Sequence, residues 1–149
     1  MIPAAKPIIG DEEREAVDRV LRSGMIAGGP EVAAFETEFS ELVDGRHSIA
    51  VNSGTSALHM AFVAAGIKAG DEVIVPSFTF AATANVVKLV GADPVFVDID
   101  PDTYCMSVDA TEAAITSKTR AIMPVHLYGH PADMTRFQAL ASRHNIHLV

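Results

Sequence analysis

From Gly45 onward the chain alternates short apolar runs with longer helical patterns, and this limits its fold more than any other feature. The apolar runs predict strands over residues 49–51, 72–75, 94–98, 121–125 and 146–149. Helices are expected over 56–65, 80–90, 108–115 and 133–144, with Gly66 and Gly91 closing the first two. Helical crossovers of this length join parallel strands, so the pattern implies a layered α/β fold with a largely parallel sheet. In such folds ligands sit beyond the carboxyl ends of the strands.

The preceding segment reads as two helices. Asp11, Glu12 and Glu13 open the first, Ala16, Val17, Val20 and Leu21 share one face, and Gly24 follows Arg19 and Arg22 as a stop. Gly28 and Gly29 break the chain, and Pro30 starts a helix with Val32, Phe35, Phe39 and Leu42 on one side. Glu31, Glu36, Glu38 and Glu41 are expected on its solvated face.

A core is affordable: 149 residues, 49% of them hydrophobic, exceed what a disordered chain carries. The net charge of −8 argues against a general nucleic-acid or anionic-membrane surface. The single Cys105 cannot close an intramolecular disulfide. The first residues are too short and proline-rich for a secretory leader, so a cytoplasmic location is the expectation.

The stretch Val51-Asn52-Ser53-Gly54-Thr55-Ser56-Ala57-Leu58 has the chemistry of a phosphate cradle. A turn entering a helix leaves backbone N–H groups unpaired at the positive end of the helix dipole, and Gly54 lets the backbone come close. Thr55 and Ser56 add hydroxyls. The competing reading is that Ser53 or Thr55 merely caps a core helix. Phe80, after Pro76-Ser77-Phe78-Thr79, is a candidate to lay its ring across the strand ends, whereas Phe78 and Phe96 are expected in the core. His126, past the fourth strand, is either a substrate contact or a satisfied polar residue at a strand end. His47, His59, His130, His144 and His147 show no metal spacing, and Asp98 and Asp100 read as a turn beside Pro101.

Together with Pro76–Thr83, Pro124-Val125-His126-Leu127-Tyr128-Gly129, Gly28-Gly29-Pro30, Phe35-Glu36 and Phe96-Val97-Asp98-Ile99, that stretch resembles the DegT/StrS-type sugar aminotransferases. These are pyridoxal-phosphate (PLP) enzymes of fold type I, and the resemblance runs from about Ile2 to Val149. It implies a three-layer α/β/α large domain, here incomplete, with residues 1–45 as an N-terminal helical arm and 46–149 as the domain's first part. It further implies PLP as cofactor, with Gly54, Thr55 and Ser56 at the phosphate and Phe80 stacked on the pyridine ring.

The implied activity moves an amino group from glutamate or glutamine to a nucleotide-linked keto sugar, in a homodimer. PLP transamination needs a Schiff-base lysine. Lys6, Lys68, Lys88 and Lys118 are not placed for that role, so the lysine is expected beyond Val149 and this stretch alone is expected to be inactive. A PLP-dependent sugar dehydratase of the same family and a non-catalytic binding or regulatory module are the alternatives. A dinucleotide-binding domain ranks below them, because no Gly-x-Gly-x-x-Gly follows any strand.

Overall fold

The computed structural model describes residues 6–149. These residues divide into two compact units, with the boundary between Ala50 and Val51.

The first unit holds helices α1 (Asp11–Ser23) and α2 (Pro30–Leu42). Their ends follow from local chemistry. Glu13 reaches back to accept the Gly10 N–H at 2.6 Å, and Gly24 closes α1 in the left-handed region at φ 72°. Pro30 occupies the first turn of α2, where a missing N–H costs nothing. Neither helix contains a fully buried residue.

Residues 49–51 form no strand, contrary to the expectation from their apolar character. The Ala50 N–H donates instead to Glu36 Oε1 at 2.8 Å, so a ladder donor is taken by a side chain. Glu36 is therefore half-buried and structural rather than part of a solvated face.

The second unit is a four-stranded, wholly parallel sheet in the order β2-β1-β3-β4, comprising β1 (Glu72–Pro76), β2 (Asp93–Val97), β3 (Thr119–Ile122) and β4 (His147–Leu148). Period-two alternation splits the core. Val73, Val75, Ala121 and Met123 face one side, where they pack with Phe62 of α3 (Gly54–Ala64) and Val86 and Val87 of α4 (Ala82–Leu89). Ile74 and Ile122 face the other side, with Val108 of α5 (Val108–Ala113) and Phe137 and Leu140 of α6 (Met134–His144). The result is α/β/α, the expected fold class. None of the described helices is long and apolar enough to cross a membrane.

Several boundaries differ from those expected. The third helix begins at Gly54, not residue 56, because the Ser53 hydroxyl accepts the Ser56 N–H and starts it early. The fourth begins at Ala82, so Phe80 precedes it. A short 3₁₀ turn, Leu127–Gly129, follows β3. Phe78 and Phe96 are not core residues: they are 46% and 57% exposed, and the Phe78 ring instead lies 6.2 Å from Tyr104 and 6.5 Å from Tyr128.

Candidate active site

From β1 the chain moves outward to β2 and then returns past β1 to β3, so the strand order reverses between β1 and β3. A crevice opens beyond the carboxyl ends of two strands at such a point. Here it is a cleft of about 680 Å³, walled by Gly54, Thr55, Phe80, Met123, Pro124 and His126 among others. Its position follows from the ladder: the Met123 N–H still donates to the Ile74 carbonyl at 3.0 Å, which carries Pro124 and His126 to the rim.

Gly54 and Thr55 are the first two residues of α3. Their N–H groups precede the first helical bond, and among the described residues they have no acceptor. The Thr55 hydroxyl likewise has no partner among the described residues. Three unpaired donors at the positive end of a helix thus belong to residues that line the cleft, a donor set suited to a phosphate. No Lys or Arg lines this wall.

Ser56 is placed differently. It does not line the cleft, and its hydroxyl lies 2.7 Å from Asn52 Oδ1 and 3.0 Å from Ser53 Oγ. Phe80 does line it, with 79% of its surface exposed, so the ring face has room for a planar partner. His126 Nδ1 accepts the Ala132 N–H at 3.0 Å. That bond assigns the proton of the neutral ring to Nε2. The structure therefore brings Gly54, Thr55, Phe80 and His126 to one cleft, and Ser56 is not among its lining residues.

Sequence reasoning passed over Asn52, Thr79 and Thr83. Thr79 and Thr83 share a hydroxyl hydrogen bond at 3.1 Å on the cleft wall. The i, i+4 spacing of Asn52 and Ser56 across a helix start was the available signal for Asn52. A second, more polar cavity of about 250 Å³ includes Asp100, Asp109, His130, Asp133 and Arg136. Its polar groups already serve the fold: Asp109 pairs with Arg136, Asp133 caps α6, and Asp100 holds a turn.

A family model described as the DegT/DnrJ/EryC1/StrS aminotransferase family matches residues 7–149. Among solved structures, S. venezuelae DesV in complex with a ketimine intermediate is 46% identical with TM-score 0.88, over 93% of this chain and 37% of that one. The aminotransferase from Psychrobacter cryohalolentis is 42% identical with TM-score 0.90, over 97% and 37%. The PLP form of the putative sugar aminotransferase Spr1654 from Streptococcus pneumoniae is 37% identical with TM-score 0.89, over 98% and 38%. The chain thus spans a little over a third of the length of these relatives.

Proposed function

This chain belongs to the DegT/DnrJ/EryC1/StrS aminotransferase family, and we propose that it forms the N-terminal part of a PLP-dependent sugar aminotransferase. The observation that carries the reading is that Gly54 and Thr55, whose N–H groups have no acceptor among the described residues, line one cleft with the exposed Phe80. These groups fit pyridoxal phosphate: an anion cradle and an aromatic face share a cavity within the range of cofactor sites. When bound, pyridoxal phosphate supplies the electron sink through which an amino group passes between carbon skeletons.

In this proposal residues 1–45 are the arm and 46–149 the first part of the cofactor domain. Gly54 and Thr55 bind the phosphate, so the ring keeps its orientation while its covalent partners change. Phe80 fixes the ring plane from one side. His126 offers its Nε2–H to the substrate while Ala132 holds the imidazole in place. The lysine that moves the proton lies outside residues 1–149, because none of the four here lines the cleft. The substrates are a nucleotide-linked keto sugar and glutamate or glutamine, and the working enzyme is a cytoplasmic homodimer.

Absorbance titration of the full-length protein with PLP tests the site. Thr55→Val should raise Kd by about 10- to 100-fold, the worth of a hydroxyl bond to a charged group of ~1.5–3 kcal/mol. An unchanged Kd would remove Thr55 from the site.

A further inference from the structure

Side-chain hydrogen bonds reinforce the turn that presents these donors, beside the backbone bond from the Ala57 N–H to the Ser53 carbonyl. A Cβ built on Gly54 would meet no atom from elsewhere in the fold within 4 Å. The side-chain bonds form a small relay. Ser53 Oγ accepts the Ser56 N–H at 3.1 Å, Ser53 and Ser56 share a hydroxyl hydrogen bond at 3.0 Å, and Ser56 Oγ lies 2.7 Å from Asn52 Oδ1. A carboxamide oxygen has no proton, so Ser56 donates to Asn52. Ser53 must then donate to Ser56. Both hydroxyl protons are directed within the turn.

We propose that Asn52 is a positioning residue of the cofactor site, acting through Ser56 to hold the turn that aims the Gly54 and Thr55 donors, and that Ser56 gives the phosphate no hydroxyl proton. The inference rests on the cofactor reading above and deepens it. It assigns the two hydroxyls of Thr55 and Ser56, neighbours in sequence, to different tasks. Thr55 lines the cleft and takes the ligand, whereas the Ser56 hydroxyl, bonded to Asn52, fixes the geometry.

The test is a double-mutant cycle in the full-length protein: Asn52→Ala, Ser56→Ala and the pair, with Thr55→Val alongside. Kd is read by absorbance titration for PLP and for pyridoxal, which lacks the phosphate. Asn52→Ala and Ser56→Ala should each weaken PLP by about three- to tenfold, the worth of one neutral hydrogen bond. The double variant should be no weaker than either single one, because the two residues act as a unit. Pyridoxal affinity should not move.

Additive losses in the double variant would overturn the inference, since Ser56 would then act on the phosphate independently of Asn52. Equal losses for PLP and pyridoxal would overturn it too, showing a general loosening instead of an aimed cradle. If Thr55→Val weakens PLP while Asn52→Ala does not, the inference fails and the cofactor reading stands. If Thr55→Val leaves PLP unaffected, the division of tasks between the two hydroxyls fails; if the native protein itself does not bind PLP, the cofactor reading fails and takes the inference with it.

Discussion

Asp100 accepts the backbone N–H groups of Thr103 at 2.9 Å and Asp102 at 3.0 Å, with the Thr103 hydroxyl at 3.2 Å. Hydrogen bonds to a carboxylate favour its charged form, so these donors, the Thr103 N–H foremost, hold the Asp100 carboxyl below its ordinary value of 3.8. A lowered native pKa stabilises the fold above the ordinary value, and that contribution is lost as pH falls through the lowered one. The stability difference between the native protein and Asp100→Asn should therefore shrink as pH falls below the ordinary carboxylate value of 3.8 in acid-unfolding curves. A difference that stays constant would contradict this. Asp93, lowered chiefly by its hydrogen bond from Lys88, acts with the same sign, so Asp100→Asn flattens the acid slope without abolishing it. The same loop holds Tyr104 at φ 58°, and Tyr128 in the next strand-end loop sits at φ 52°. Both are bulky residues in the left-handed region, a conformation that costs on the order of 1–3 kcal/mol each. Both rings also pack on Phe78.

At the scale of elements, β1 is the hinge of the fold. Val73 and Val75 serve one core and Ile74 the other, all fully buried. Ile74→Ala should cost about 2–5 kcal/mol. Lys88→Ala, which breaks an exposed pair with Asp93, should cost at most about 1 kcal/mol. Thermal unfolding of the full-length protein ranks the two, and comparable losses would contradict the account of the core. The order of elements was legible in the sequence because β1, α4, β2, α5, β3 and α6 each carry their own periodicity and stop signals. The ends of α1 and α2 were legible for the same reason, at Gly24 and Pro30. Residues 49–51 form no strand because a strand is a partnership: apolar character supplies a face, but only a neighbouring backbone supplies a ladder, and no described strand pairs with them. Phe78 and Phe96 misled because aromatic character says nothing of which loop or face receives the ring. That Gly54, Thr55, Phe80 and His126 would share one cleft was legible from the strand–helix alternation around them. The hydrogen bond from Ser56 to Asn52 was not legible, because it depends on which way the Asn52 carboxamide turns.

At the scale of the molecule, the chain leaves large apolar side chains uncovered in its second unit, among them Met60, Val63, Leu89 and Phe96. Among the described residues β4 pairs only with β3, which leaves its outer edge open. An open edge and exposed apolar side chains recruit other chains. Residues 1–149 expressed alone should therefore self-associate in analytical ultracentrifugation, whereas a monodisperse monomer with a cooperative melt would contradict this.

The central claim is that the N-terminus of α3 and the Phe80 ring together hold pyridoxal phosphate at the point where the strand order reverses. A crystal structure of the full-length protein with the cofactor bound tests it most directly. The account predicts phosphate oxygens about 2.7–3.2 Å from the Gly54 and Thr55 nitrogens and the Thr55 hydroxyl, with Phe80 stacked on the pyridine ring. A phosphate held anywhere else, or a pyridine ring out of reach of Phe80, would contradict it.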